Sequence, residues 1–535
     1  MTTKDLARML GETADLMEVL GESGFRVSAY RKAARALERY EGELPELMAA
    51  GFDRLPGIGK GLAGALAEIV QTGEFDYLEE LRGQVPPGVA ELFMVQGLGP
   101  KRIRALWQAG IDSLEELVRA AEEGRIAAMP GFGKKTQQTF LEAARFALAN
   151  LRRVHLPVGL EAARLLLADL ERAGVYAALA GSLRRRLETA GNVDLVARAA
   201  PEAVLTALGE HAIEVRGSVV HGRLEGLPLR VFCAGEREFG TVLLRATGSE
   251  AWVRALGALP AGPDEAAVFA ALGREPVPPC WREPEHLGLA PPARLVERRD
   301  LVGLVHLHTA YSDGSASLRT MAEAAIAEGY AYMVVTDHSQ TAAYAGGLTL
   351  EDLERQWAEI DALNAELAPF RILKGIESDI LPDGSLDYPD EVLARFDVVL
   401  GSLHSHFHLP PEEQTARLLR AVANPYLTVL AHPTGRLLLR RKGAEADWER
   451  VLARAAELGK IVEINANPWR LDLDWRRALA WRERLVFSIG PDAHAPEGYA
   501  DVAYGLWMAQ KVGLPPERVA NTWPAERWLT LREGV

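Results

Sequence analysis

What this sequence has little of narrows the field first. Two cysteines, Cys233 and Cys280, in 535 residues exclude a disulfide framework. No apolar run approaches the roughly 18 residues of a membrane span. The opening residues, MTTKDLARMLGETADLME, carry charges where a signal peptide has its apolar stretch. A cytoplasmic protein with no membrane partner is therefore expected. Positive charge is in deficit as well, with 60 Lys and Arg against 74 Asp and Glu and a net charge of −14. That excludes a surface coated in cations, so contact with nucleic acid would come from local groups of backbone amides and a few lysines. Disorder is excluded by a hydrophobic content of 48%, and the length calls for roughly three or four domains.

The first 150 residues repeat one short pattern three times: LPGIGKGLAGALAEI from Leu55, VQGLGPKRIRALWQA from Val95 and MPGFGKKTQQTFLEA from Met129. Each reads hydrophobic-x-Gly-hydrophobic-Gly followed by an amphipathic helix, an internal repeat. The glycine pairs Gly57 and Gly59, Gly97 and Gly99, and Gly131 and Gly133 let a turn bring its amides to the surface. The next helix then aims unbonded N–H groups where a phosphate oxygen can sit. Lys60, Lys101 and Lys134 add charge at the same point. A single copy reads equally well as a helix-connecting turn; three in one register resemble the helix-hairpin-helix motif. That motif implies a grip on the DNA backbone without base readout.

From 151 to 297 strand-like and helical pieces alternate, ending in the proline-rich PVPPCWREPEHLGLAPPARL, read as a covering segment and linker with a boundary near Asp300. Beyond it, apolar strands recur between helical patterns: LVGLVHLHT, YAYMVVTDHS, FRILKGIES, FDVVLGSLHS, YLTVLAHPT, KIVEINANP and RLVFSIGPDAH. Repeated βα units predict a parallel barrel with its chemistry at the strands' C-terminal ends. His306, His308, His338, His404, His432 and His494 lie there, with Asp313, Glu377 and Asp492 among them. His306 and His308 alternate on one strand and so face one way, and Asp492 and His494 repeat the spacing on the last. His406 and His408 read as surface or hydrogen-bonded residues. Mixed imidazole and carboxylate donors suit zinc, manganese or iron, and clustered ions of this kind activate water and stabilise an oxygen leaving phosphorus.

HLHTAYSDG, TDHS, GIESDILPDGSLDYPD, SLHSHF, AHPTGR and PDAH resemble the PHP phosphoesterase domain. With the upstream parts, the whole chain resembles bacterial family X DNA polymerases that carry a C-terminal PHP domain. The resemblance implies a multidomain protein. A helix-hairpin-helix DNA-binding region over 1–150 precedes an α+β nucleotidyltransferase-like palm over 151–245. A shortened thumb-like segment and linker follow over 246–297, then a distorted (β/α)7 PHP barrel over 298–535. It implies up to three divalent metal ions: one held by His306, His308, Glu377 and Asp492, a second by Glu377, His404 and His432, a third by Asp313, His338 and His494. It also implies phosphodiester hydrolysis in which Glu377, His404 and Asp492 act, as a 3′–5′ exonuclease and in some members as an abasic-site endonuclease. Arg436 in AHPTGR is a candidate phosphate clamp or, equally, a surface arginine. A monomer acting on gapped or primer-template DNA is expected.

One stretch breaks the resemblance. GSLRRRLETAGNVD, residues 181–194, matches the palm signature in which Gly181, Ser182 and Arg185 would hold an incoming triphosphate. The signature's two magnesium-binding aspartates, however, are Asn192 and Asp194 here. The position of the third carboxylate holds Arg230, or Pro228 if the neighbouring Leu-Arg pair is aligned instead. Two magnesium ions need hard oxygen ligands and cannot be fixed by Asp194 alone. An arginine there would occupy the cation's position and pair with Asp194. The expectation is a hydrolase on a polymerase scaffold whose palm polymerises weakly or not at all. The alternatives are a working gap-filling polymerase with an attached exonuclease, a non-catalytic DNA-binding scaffold and a small-molecule phosphatase.

Overall fold

Each glycine repeat is built the same way. The first glycine takes a positive φ, 89° at Gly57 and 80° at both Gly97 and Gly131, a conformation side chains resist. The hydrophobic residue between the glycines (Ile58, Leu98, Phe132) turns inward and is buried. The second glycine is the N-cap of a helix, Lys60–Thr72, Pro100–Gln108 or Lys134–Asn150, and no side chain caps it. Turn and inward anchor together expose the first-turn N–H groups. These features come from a computed structural model that describes residues 2–531 except 39, 41, 43 and 74. It divides into two units, residues 1–151 with 439–441, and 152–438 with 442–535. Among the described residues of the first, every regular element is a helix, and the core is formed by their inward faces, among them Leu6, Leu66, Ile103 and Leu117.

The second unit opens with a short pair, β1 (Val154–His155) and β3 (Thr189–Ala190), beside a five-stranded mixed sheet. The sheet contains β2 (Ala177–Leu179), β4 (Val193–Ala197), β5 (Ala212–Arg216), β6 (Val219–Leu224) and β7 (Leu227–Cys233) in the order β2-β4-β7-β6-β5. Its centre is the parallel pair β4 and β7, in which Asp194 sits opposite Arg230. Three short helices follow, Phe239–Thr247, Glu250–Leu256 and Glu265–Ala271, the last two packed through Trp252, Val268 and Phe269.

The proline-rich stretch is a wedge more than a cover. Trp281 and His286 are buried, and His286 stacks between Trp281 at 4.5 Å and Trp475 of the barrel at 5.4 Å. Its Nε2–H donates to the Lys511 carbonyl at 2.8 Å. Lys511 is itself fully buried and donates to the carbonyls of Arg185 and Cys280 and to Glu283.

The barrel consists of β8 (Gly303–Leu307), β9 (Tyr332–Val335), β10 (Arg371–Asp379), β11 (Val398–Ser402), β12 (Val429–Leu430), β13 (Ile461–Asn465) and β14 (Val486–Gly490). All seven run parallel in chain order. A bridge from Leu307 to Ala493 brings the two ends together, giving the distorted (β/α)7 architecture. Val305, Val334, Leu373, Val398, Val429 and Ile461 form its inner layer with Trp523 and Trp528. The alternate residues pack on the helices, which is why these strands read as unbroken apolar runs. No helix among the described residues is long and apolar enough to cross a membrane.

Candidate metal centre

Glu377, near the end of β10, is the hub. One carboxylate oxygen lies 2.7 Å from His432 Nε2, 3.1 Å from His404 Nε2 and 3.5 Å from His306 Nε2. The other lies 3.0 Å from His338 Nδ1 and 3.6 Å from His308 Nε2. Asp492 meets His308 at 3.2 Å and His306 at 3.5 Å. Asp313 gathers His494 at 3.3 Å, His338 at 3.6 Å and His308 at 3.8 Å. All nine residues fall into four overlapping groups of potential ligands: His308, Asp313, His338 and His494; His306, Glu377 and His432; His306, His308 and Asp492; His338, Glu377 and His404. His406 and His408 are exposed and belong to none.

The convergence is not produced by strand alternation alone, and here the sequence reading needs correction. β8 changes register between Val305 and Leu307, His306 has φ 73°, and His308 lies one residue beyond the strand. Asp492 and His494 follow β14 instead of belonging to it, and Asp492 has φ 56°. His432, just past β12, also has a positive φ, 23°. Non-glycine residues hold such backbone only where the surroundings impose it, and such strain gathers at functional sites.

The electrostatics suit a cation. Burial would push the Glu377 carboxyl up, but His404, His338, His306 and His432 hold it well below the usual range. Burial pushes His306 down, but Glu463, Asp492 and Glu377 raise it well above an ordinary imidazole. Burial together with His494 and His338 drives His308 down to about 3. His306 Nε2, both nitrogens of His308, His338 Nδ1 and Glu377 Oε2 are buried without a hydrogen-bond partner. Buried polar atoms normally find partners; a cluster of unpartnered nitrogen and oxygen lone pairs facing one another fits divalent metal ions.

Several contributors escaped the sequence reading. Glu463 on β13 accepts from His306 Nδ1 at 2.6 Å and from the His432 backbone N–H at 2.6 Å. Asp379 takes His404 Nδ1 at 2.5 Å. Such carboxylates fix the tautomer so that Nε2 is the nitrogen left to meet a metal ion. The signal was present, since an acidic residue inside the apolar run KIVEIN has to be satisfied by something. The Arg436 guanidinium is engaged with the neighbouring loop: its Nε donates to the Arg470 carbonyl at 2.9 Å, its Nη2 to the Leu471 carbonyl, and Glu188 lies 3.5 Å away. Arg470, not singled out in the sequence, reaches the cluster, with Nε 3.4 Å from Asp492.

The palm presents the opposite picture. Arg230 donates through Nε and Nη2 to the two oxygens of Asp194 at 2.7 and 2.9 Å, and Asn192 Nδ2 adds a bond of 2.6 Å. The alignment with Arg230 at the carboxylate position is therefore the one the backbone register realises. Gly181 has φ 61°, and a Cβ there would lie 2.4 Å from Asp194. Ser182 follows it in the short helix Gly181–Arg184. Arg185 is engaged with Glu283 at 2.8 Å and the Thr247 carbonyl at 2.6 Å, and Arg184 forms a two-bond pair with Glu265. No group of potential metal ligands occurs in the palm among the described residues. The helical unit keeps Lys60, Lys101 and Lys134 exposed beside their uncapped helix starts.

Family models match three stretches: a helix-hairpin-helix domain over residues 1–75, a SAM-like helix-hairpin-helix tandem over 89–145 and a PHP domain over 305–467. A DNA polymerase/3′-5′ exonuclease PolX of Bacillus subtilis is 36% identical, the match covering 97% of each chain. A probable phosphatase of Acetivibrio thermocellus is 33% identical over 41% of this chain and 89% of its own length. Another, of Caldanaerobacter subterraneus, is 26% identical over 41% of this chain and 85% of its own. Full-length similarity at this level, over helix-hairpin-helix repeats, a mixed-sheet middle region and a PHP barrel, means that the chain belongs to the PolX family.

Proposed function

We propose that this protein is a metal-dependent phosphodiesterase acting on DNA, a 3′–5′ exonuclease that also cleaves at abasic sites, built on a polymerase scaffold that no longer polymerises. The observation that carries the reading is the convergence of six histidines with Glu377, Asp313 and Asp492 into four overlapping groups, while the palm's remaining aspartate is closed by Arg230. His306, His308, Glu377 and Asp492 would hold one ion, His404 and His432 with Glu377 a second, and Asp313, His338 and His494 a third; manganese or zinc, or iron, suits these donors. Such ions, when bound, supply hydroxide at neutral pH and stabilise the leaving oxygen. Glu463 and Asp379 keep the His306 and His404 rings oriented.

The three glycine turns grip the DNA backbone through Gly57, Gly59, Gly97, Gly99, Gly131 and Gly133, with Lys60, Lys101 and Lys134 adding charge. Removing the three lysines together is expected to weaken binding alike for all sequences and to lower the slope of log affinity against log salt by about 2–3; an unchanged slope would make the turns structural only. At the palm, Gly181, Ser182 and Arg185 stand where the family signature would hold a triphosphate, but magnesium would have no carboxylate set to bind.

One assay on labelled primer-template DNA, with and without deoxynucleoside triphosphates, tests the whole reading. Shortening in both conditions and extension in neither is the expected result. Template-directed extension abolished by Asp194→Ala would favour the second reading, a gap-filling polymerase, which the name of the Bacillus relative supports. Faster release of phosphate from monoesters than from DNA would favour a phosphatase, as the names of the barrel's relatives suggest.

A further inference from the structure

Arg470 lies in the loop after β13, its side chain 20% exposed and its Nε 3.4 Å from Asp492. Its Nη1 is buried and has no partner. A desolvated guanidinium N–H without an acceptor is costly, so an acceptor that reached it beside the cluster would recover that cost. The loop is held for this: Arg436 donates to the carbonyls of Arg470 and Leu471, and the Arg470 N–H donates to Asn467 at 2.8 Å. One edge of the guanidinium faces a carboxylate of the cluster and Nη1 lacks an acceptor, a donor fork of the kind that takes phosphate oxygens.

Tyr344 borders the same cluster. Its ring centroid is 6.3 Å from His338 and 6.4 Å from His404, yet the residue is 73% exposed. It projects from the single turn Ala343–Ala345, pinned by buried Ala342 and Ala345 and by N–H bonds from Ala345 and Gly347 to the Ala342 carbonyl at 2.9 and 3.1 Å. A flat exposed ring carried on a pinned turn beside a polar cluster offers a planar partner a face to stack on.

We propose that Arg470 and Tyr344 form the subsite for the 3′-terminal nucleotide of a DNA strand, Arg470 gripping the phosphate to be cleaved and Tyr344 stacking on the base. This rests on the hydrolase reading above and adds the recognition element to it.

The test is calorimetry on the full chain loaded with manganese, using thymidine 5′-monophosphate and inorganic phosphate as probes, with bound metal measured in parallel. Arg470→Gln is expected to weaken both probes about tenfold or more at unchanged metal content, and Arg470→Lys to recover part of the loss. Tyr344→Ala is expected to weaken the nucleotide about fivefold and leave phosphate unchanged, whereas Tyr344→Phe keeps both. Loss of metal with unaltered phosphate affinity in Arg470→Gln would make this arginine a counter-ion of Asp492 and overturn its role. Equal weakening of both probes by Tyr344→Ala would overturn the stacking role, and a wild-type protein that binds neither probe would overturn the subsite altogether. Hydrolysis of DNA by the wild type and its loss in Glu377→Gln are read separately, so failure of the subsite is distinguishable from failure of the hydrolase.

Discussion

The palm places one buried carboxylate near the start of a parallel strand and the barrel gathers several at the far ends of its strands, and they neutralise them differently. In the palm, Asp194 meets Arg230, a guanidinium that stays charged at every accessible pH and bonds both oxygens. In the barrel, Glu377 and Asp492 meet imidazoles, which can give up their protons and offer lone pairs. A permanent cation closes a site; a titratable one leaves it available to metal. Two clusters of similar origin on the page of sequence thus lead to opposite chemistry.

The comparison breaks most sharply at its hub. Glu377→Gln is expected to lower hydrolysis by several orders of magnitude, because metal clusters act as units, with DNA binding within about twofold since the proposed grip lies in residues 1–150. Activity near wild type would end the assignment. One shell outward, Glu463→Gln removes the acceptor that orients His306, and metal affinity should fall about 10- to 100-fold, read by competition with a chelator.

On the palm side, Arg230→Ala leaves Asp194 buried with only Asn192 as donor. Because Arg230 is 45% exposed, the expected cost is about 1–2 kcal/mol, below that of breaking a fully buried pair, measured by denaturant unfolding. Combining Asn192→Asp with Arg230→Asp in a His404→Ala background rebuilds three carboxylates. Weak manganese-supported extension is the expected gain of function, checked against a parent that shows none. Robust extension by the parent would erase the contrast.

The smallest effect concerns the wedge between palm and barrel. Burial, opposed in part by the bond to Lys511, pushes His286 down to about 4. Its Nδ1 is buried without a partner. A base whose folded pKa lies below its unfolded value stabilises the fold above the unfolded pKa, and that stability is lost as pH falls from about 6.5 toward 4. Thermal unfolding should show this slope in wild type, and a shallower one in His286→Gln; identical slopes would remove His286 as its source.

The sequence by itself determined the architecture, because periodicity and turn chemistry are local. Gly57, Gly97 and Gly131 declare positive-φ turns, and seven apolar runs declare a parallel barrel whose two strand faces are both buried. It also determined which nine side chains gather, since histidine and acid at the ends of such runs have few other reasons to be there. Tertiary structure alone decided how they gather. The kinks at His306, His432 and Asp492 are imposed by packing, and the oxygen each ring meets depends on Glu463 and Asp379, brought by strands far away in the chain. It likewise turned Arg436 toward the carbonyls of Arg470 and Leu471 and brought Arg470 beside Asp492, because a side chain's partners depend on what lies across the loop. At the palm the substitutions Asn192 and Arg230 were legible, yet only the register of β4 against β7 showed that the arginine reaches the aspartate left behind. Pairing between distant segments is a property of the folded chain, not of any window of residues.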